Sequence, residues 1–189
     1  MTEGACRLAC LEDVLAARDA RRELQSALLE RWGLPLVSMT LVSPGPRKDD
    51  PRRRALMDRA EAALEAALAA AGMAVLEHSR RDGVAGPEAV YAVDAPQLEL
   101  KHLVVGLEEG LPWGRLLDAD VLVRSALPGL AGLPEPLGRA AAGLGPRVCL
   151  ACGRDARHCM AEASHPLPEL AAAAERLIDL AFEATPSAR

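Results

Sequence analysis

Aromatic residues are almost missing from this chain: Trp32, Tyr91, Trp113 and Phe182 are the only four among 189 residues. The core must therefore be built from Leu, Val and Ala, and the stacked-ring platforms that hold single-stranded nucleic acids are excluded. Lysine is scarcer still, with Lys48 and Lys101 set against 20 arginines, and the formal net charge of −5 argues against a general polyanion binder. No apolar run approaches the roughly 18–20 residues of a membrane span. The opening Met-Thr-Glu-Gly-Ala-Cys lacks the basic-then-apolar order of a secretory signal. The expectation is a cytoplasmic protein with neither nucleic acid nor membrane as partner. In a reducing compartment its five cysteines are read as free thiols or metal ligands rather than disulfides.

What is present is ordinary for a globular chain: 20.0 kDa, 50% hydrophobic, 26% charged, mean hydropathy +0.07. A chain of this length buries about 70% of the surface its unfolded form exposes, so no covalent staple is required. Residues 11–32 read as a helix closed by Gly33 and Pro35, with Arg18, Arg21 and Arg22 on one arc. Residues 34–42 alternate as a strand in which Leu36, Ser38 and Thr40 face one way. A rigid Pro44-Gly-Pro-Arg-Lys-Asp loop follows. Asp50 then stands at an N-cap, Pro51 at the first helical position and Gly72 past the end, which brackets a helix of about 21 residues. Its buried stripe is Leu56, Ala60, Leu64, Ala67, Leu68 and Ala71.

Residues 73–77, 90–93, 100–107 and 116–123 read as strands. Residues 125–146 read as a Pro/Gly-rich loop with one Ala-rich turn, and 169–184 as a closing amphipathic helix. The fold class is α+β: a central mixed or antiparallel sheet with flanking helices and a small C-terminal Cys/His segment. The expected division is a core over 1–124, the loop over 125–146, and the Cys/His segment and helix over 147–189 packed on that core as one domain.

Three stretches carry chemistry. In Gly114-Arg-Leu-Leu-Asp-Ala-Asp-Val, strand geometry puts Asp118 and Asp120 on one face, roughly 7 Å apart, and Leu117, Ala119 and Val121 on the other. Two hard carboxylates so placed can hold Mg²⁺ while leaving room for phosphate oxygens. Gly114 and Arg115 would bring backbone N–H groups and a guanidinium to the same place. The bland alternative is an edge strand with a polar solvent face. Gly45 and Lys48, in a turn that feeds a helix start, suit an anion, although the Gly-Lys-Ser/Thr ending of a P-loop is absent. Cys149, Cys152, Cys159 and His165 have the spacing of a closed, structural Zn²⁺ site, with His158 as a competing ligand and buried reduced thiols as the alternative. Cys6 and Cys10 carry no assignment, and His78 and His102 read as packing or surface residues.

Taken in order, Arg18-Asp-Ala-Arg21, Pro35 to Asp49, Gly86-Pro-Glu88, Leu100-Lys101, Gly114 to Leu122 and the Arg147-Val-Cys…His165 tail resemble the holo-acyl-carrier-protein synthases of citrate lyase, the apo-citrate lyase phosphoribosyl-dephospho-CoA transferases. The resemblance covers residues 11–182. It implies a nucleotidyltransferase-like fold and transfer of phosphoribosyl-dephospho-CoA from 2'-(5''-triphosphoribosyl)-3'-dephospho-CoA to a serine of the acyl carrier (γ) subunit, with release of diphosphate. On that reading Asp118 and Asp120 position Mg²⁺, and Lys48, Arg115, Arg18 and Arg21 hold the triphosphate. Lys101 or Arg147 supplies further contacts, and Glu108, placed on a neighbouring strand, is a base or third metal ligand. Arg52, Arg53 and Arg54 are docking residues for an acidic carrier. Two other readings stay open: priming of the malonate decarboxylase carrier, and a zinc-stabilised adaptor without catalysis.

Overall fold

Strand β1 (Leu36–Leu41) is the middle of a five-stranded sheet whose order is β2-β3-β1-β4-β5, every neighbouring pair antiparallel. The computed structural model describes residues 8–183. Along the chain the other elements are α1 (Leu11–Trp32), α2 (Pro51–Ala70), β2 (Ala74–Arg81), β3 (Glu88–Asp94), α3 (Gln97–Gly110), β4 (Leu117–Arg124), β5 (Pro134–Pro136), α4 (Ala156–Ala161) and α5 (Leu167–Glu183). The α+β class and the antiparallel sheet with flanking helices are as the sequence indicates. No described helix is long and apolar enough to cross a membrane.

The sheet is covered on both sides, and its two faces differ. Val37, Met39, Ala89, Tyr91, Val93, Leu117, Ala119 and Val121 point to one side, where Leu56, Leu64 and Leu68 of α2, Leu100 and Val104 of α3, and Leu177, Ile178 and Ala181 of α5 complete the main core. The C-terminal helix thus packs into the same cluster as the first two-thirds of the chain. On the opposite side α1 lies alone, closing a smaller cluster of Leu28, Leu29, Leu36, Val90, Ala92 and Leu122. Helix α2 begins as its boundary residues require: the Asp50 carboxylate accepts the Arg53 backbone N–H at 2.9 Å, and Pro51 occupies the first turn.

Residues 100–107 are not a strand but the body of α3. Leu100, Val104 and Leu107 recur at helical spacing, so this short apolar run satisfies both periods, and its packing against α2 and β4 decides for the helix. Glu108 accordingly stands on a helix rather than on a strand. Residues 125–146 hold the short strand β5 and a 3-10 turn, Arg139–Ala142, in the Ala-rich part.

Of the arginine run at the start of α2, Arg53 is withdrawn from any docking face, while Arg52 and Arg54 stay exposed within ion pairs. Arg53 is 3% exposed and ion-paired to Asp50 and Glu175, while Arg52 pairs with Asp179 at 2.5 Å and Arg54 with Asp49. The pairings with Glu175 and Asp179 join α2 to α5. Arg59 adds to the same seam, stacking on the Phe182 ring at 4.3 Å from its centroid. A second polar network lies under the sheet, where Tyr91 stacks on His78 and donates to Glu61 at 3.1 Å. His78, itself exposed, covers the buried Tyr91 ring, and His102 is exposed too.

Candidate active site

On the α1 side the sheet is graded. Register across β3, β1 and β4 sets Ala92, Leu36 and Leu122 in one row, Val90, Ser38 and Asp120 in the next, and Glu88, Thr40 and Asp118 in the last. Successive turns of α1 match these rows. Leu29 is buried over the apolar one, Gln25 Nε2 donates to Ser38 Oγ at 2.8 Å, and Arg21 Nη1 donates to Glu88 Oε2 at 2.7 Å. Arg81 of β2 reaches the other Glu88 oxygen at 2.8 Å. Arg21 is thereby committed to a carboxylate. Arg18, one turn further toward the helix start, is exposed and has no hydrogen bond or ion pair among the described residues.

Asp118 and Asp120 share this face, with Leu117, Ala119 and Val121 buried behind them. Asp118 Oδ1 accepts Arg147 Nη1, and its other oxygen is unengaged. Asp120 has no hydrogen bond or ion pair with any described residue. Its carboxylate opens to solvent, yet the protein packed around its other sides thins the surrounding water. That desolvation, and then the charge of Asp118, push its pKa above the ordinary carboxylate value.

The outer edge of β4 is dressed by side chains at this point rather than by another strand, since β5 pairs only with residues 122–124. Glu108 Oε1 accepts the Ala119 N–H at 3.1 Å, and Glu108 Oε2 accepts Arg139 Nη2 at 2.6 Å. Arg147 Nη2 donates to the carbonyls of Leu117 at 2.6 Å and Arg115 at 3.1 Å. Glu108 is 8% exposed with both oxygens in use, so it holds the strand edge and is not a free base. Beside it Lys101 is buried. Desolvation depresses its pKa, while Asp120 and then Glu108 act against that fall.

Gly114 serves a different purpose from the one its sequence context indicates. Its N–H is taken by the Leu111 carbonyl at 2.9 Å, but a Cβ there would lie 2.2 Å from the Glu108 carbonyl oxygen, so only glycine lets the turn before β4 press against α3. Arg115 projects from the same turn and donates to the Cys149 carbonyl at 3.3 Å. Lys48 Nζ is bound back to the Ser43 carbonyl at 2.7 Å, which fixes the loop that leaves the Thr40 end of β1. Gly45 turns that loop at φ +87. Pro44 of the loop, Arg115, Asp118, Arg147 and the segment from Val148 to His165 line one hollow of about 570 Å³, largely apolar apart from those charges.

The Cys/His segment forms the far wall of that hollow. Val148 and Asp155 close a short bridge, and Asp155 caps α4 by accepting the Arg157 N–H at 2.8 Å. This turn-then-helix brings Cys159 back over Cys152, their sulfurs 3.5 Å apart. His165 Nε2 lies 3.3 Å from Cys152 Sγ, and its Nδ1 is 2.9 Å from Glu169 Oε1. The ligand atoms of Cys149, Cys152, Cys159 and His165 all fall within 4.8 Å of one another. His158, exposed and 3.2 Å from Glu162, stays outside the group. Cys10 is free and lies away from this cluster at the start of α1, and Cys6 lies outside the described residues.

As the sequence reading expects, Asp118 and Asp120 share one face of β4, and Cys149, Cys152, Cys159 and His165 come together as a group that could hold a metal ion. Sequence alone missed the companions that only the fold assembles: Arg139, Glu108 in its edge-capping role, and Arg147 as a clamp on Asp118. Comparison with known proteins agrees with the resemblance noted from the motifs. Apo-citrate lyase phosphoribosyl-dephospho-CoA transferases of Escherichia coli O139:H28 (strain E24377A / ETEC) and of Shigella boydii serotype 18 (strain CDC 3083-94 / BS512) are each 34% identical over 169 residues, covering 89% of this chain and 88% of theirs. The family described as apo-citrate lyase phosphoribosyl-dephospho-CoA transferase matches residues 9–181, a span that takes in both the acid pair and the Cys/His segment, and the chain belongs to that family.

Proposed function

We propose that this chain is a cytoplasmic nucleotidyltransferase. It moves phosphoribosyl-dephospho-CoA from 2'-(5''-triphosphoribosyl)-3'-dephospho-CoA to a serine of the citrate lyase acyl carrier (γ) subunit. The serine oxygen forms a bond to the phosphorus next to the ribose, the bond from that phosphorus to the terminal diphosphate breaks, and the serine proton leaves to solvent. The observation that carries this reading is the row of Asp118 and Asp120 on an open sheet face, at the end where the Pro44–Asp49 loop departs, in a chain of this family.

The donor set at that row fits Mg²⁺. It consists of hard carboxylate oxygens, with the second Asp118 oxygen and both Asp120 oxygens unengaged. Mg²⁺ bound there supplies neutralisation of the triphosphate and of the departing diphosphate. The protein does the rest by positioning. Arg147 keeps Asp118 in place through its hold on the β4 edge, and Arg115 offers a guanidinium at the mouth of the hollow. Lys48 and the Gly45 turn present a cation and backbone to the far phosphates, and Arg18, free of other partners among the described residues, reaches the same anion from α1. Arg21 acts indirectly by fixing Glu88 beside Thr40.

Cys149, Cys152, Cys159 and His165 fit a structural Zn²⁺. They are soft thiolates plus one imidazole, and Glu169 on Nδ1 directs Nε2 toward the sulfurs. All four positions are filled by protein, so this site shapes the wall and does no chemistry. The test is the mass of apo-carrier after incubation with the triphosphoribosyl donor and Mg²⁺. A mass gain confined to the serine-bearing peptide supports the reading. An unchanged citrate lyase carrier, with gain instead on the malonate decarboxylase carrier or on neither, overturns it.

A further inference from the structure

The hollow beside Asp118 has two kinds of lining. Arg115, Asp118 and Arg147 bring charge, while Val42, Val148, Leu150 and Met160 make most of the rest apolar. Its volume of about 570 Å³ falls in the range of small-molecule pockets, about 300–1,000 Å³. Part of this apolar wall is uncovered. Val148 is 46% exposed, and Met160, at 80%, is the most exposed large apolar side chain among the described residues. Met160 is not on a loose end, since α4 is capped by Asp155 and anchored by the buried Cys159 next to it. No aromatic side chain is among the residues described as lining the hollow. A thioether packs favourably near an aromatic ring, and here the ring has to come with the ligand.

Charge and connectivity narrow that ligand. Phosphates lose water against an apolar wall and gain nothing in return. The triphosphate therefore belongs on the open row of Asp118 and Asp120, and the hollow suits an uncharged part of the donor. In that donor the triphosphate is joined through one ribose to the 2'-oxygen of an adenosine, whose purine is the first flat, uncharged ring reached. The pantetheine arm follows only after a further diphosphate. A hollow that begins at Asp118 meets the adenosine first. Arg115, on its edge, donates to the Cys149 carbonyl at 3.3 Å and complements the charge of that further diphosphate. We propose that this hollow holds the adenosine of the donor, with its purine against Met160 and its 5'-diphosphate at Arg115. This rests on the donor assigned above.

The experiment measures by calorimetry, on the full chain with no Mg²⁺ added, the affinities of 3'-dephospho-CoA, ADP and 4'-phosphopantetheine. The variants are Met160→Glu, which sets a charge against the purine, and Ala156→Leu, which narrows the hollow from the first turn of α4. ADP should bind within about threefold of dephospho-CoA, and phosphopantetheine about tenfold more weakly or worse. Each variant should weaken ADP by about tenfold or more, and Met160→Leu, which keeps the wall apolar, should lose less than Met160→Glu. Met160 is largely in solvent, and Ala156→Leu keeps the measurement in hand if the glutamate variant does not fold. Phosphopantetheine bound as tightly as dephospho-CoA, with ADP unbound, would give the hollow to the arm and overturn the assignment. ADP bound equally by wild type and both variants would place the adenosine elsewhere and overturn it too. Carrier that gains mass from the donor while ADP stays unbound would leave the transfer standing and remove only the hollow's assignment. ADP weakened by both variants, with no mass gain on the carrier, would support the adenosine site and overturn the transfer reading instead.

Discussion

Arg147 and Asp118 hold each other across the edge of β4. One guanidinium nitrogen binds the carboxylate, and the other spans the carbonyls of Leu117 and Arg115. This leaves one oxygen of Asp118 for a ligand and fixes its direction, whereas Asp120 keeps both oxygens uncommitted beside it. The two acids are alike in sequence and unlike in constraint.

Replacing either acid by its amide separates chemistry from folding. Asp118→Asn and Asp120→Asn should each slow carrier modification by about a hundredfold or more, and move stability by about 1 kcal/mol or less. Carrier mass against time, with a denaturant curve on the same samples, checks both halves. Modification at the wild-type rate in both variants would end the two-carboxylate mechanism.

Asp120 also predicts a pH effect with a definite sign. Its folded-state pKa lies above the unfolded value, so between the two the native state binds more protons than the unfolded one. Stability on this account is fullest below the unfolded value and is lost as pH rises through the folded one. With EDTA present, Asp120→Asn should need more urea to unfold than wild type at pH 7, and the gap should close toward pH 4. A gap that widens in acid would show the opposite shift.

Gly114→Ala tests the packing behind the site. The new Cβ would meet the backbone oxygen of Glu108 at 2.2 Å and its carbonyl carbon at 2.8 Å, and neither can swing aside. The expected cost is about 1–3 kcal/mol, read from urea midpoints, with weaker protection of the Ala119 amide in hydrogen exchange because its acceptor on Glu108 is displaced.

Metal analysis bears on the C-terminal segment. Purified protein should contain about one zinc per chain, as a closed four-ligand site requires. Cys159→Ser should lose the metal and melt lower by about 5 °C or more. A zinc-free wild type with an unaltered melting temperature in the variant would show that the four side chains pack without an ion.

Elements with local punctuation were legible in the sequence. Asp50, Pro51 and Gly72 marked α2, strict alternation marked β4 and the shared face of its acids, and the spacing from Cys149 to His165 marked the cluster. Residues 100–107 misled because Leu100, Val104 and Leu107 satisfy a helix while the same run is short and apolar enough for a strand. Only contact with β4 and α2 decides between them. Arg53, within the run at 52–54, misled for a related reason. A charge run looks solvated until α5, more than a hundred residues later, supplies Glu175 and Asp179. Lys101, Glu108, Arg139 and Arg147 come from a helix, a loop and a tail, and no local rule joins them.

The central place of β1 sets an order of events on the ribosome. Its partners are residues 88–92 on one side and 117–122 on the other, so the nascent strand waits with both edges bare until those segments emerge. The acid-bearing strand arrives after β3, and Arg147 arrives later still. A chain released early would expose an unzipped hydrophobic ribbon with Asp118 and Asp120 not yet in register, a natural substrate for chaperones and proteases.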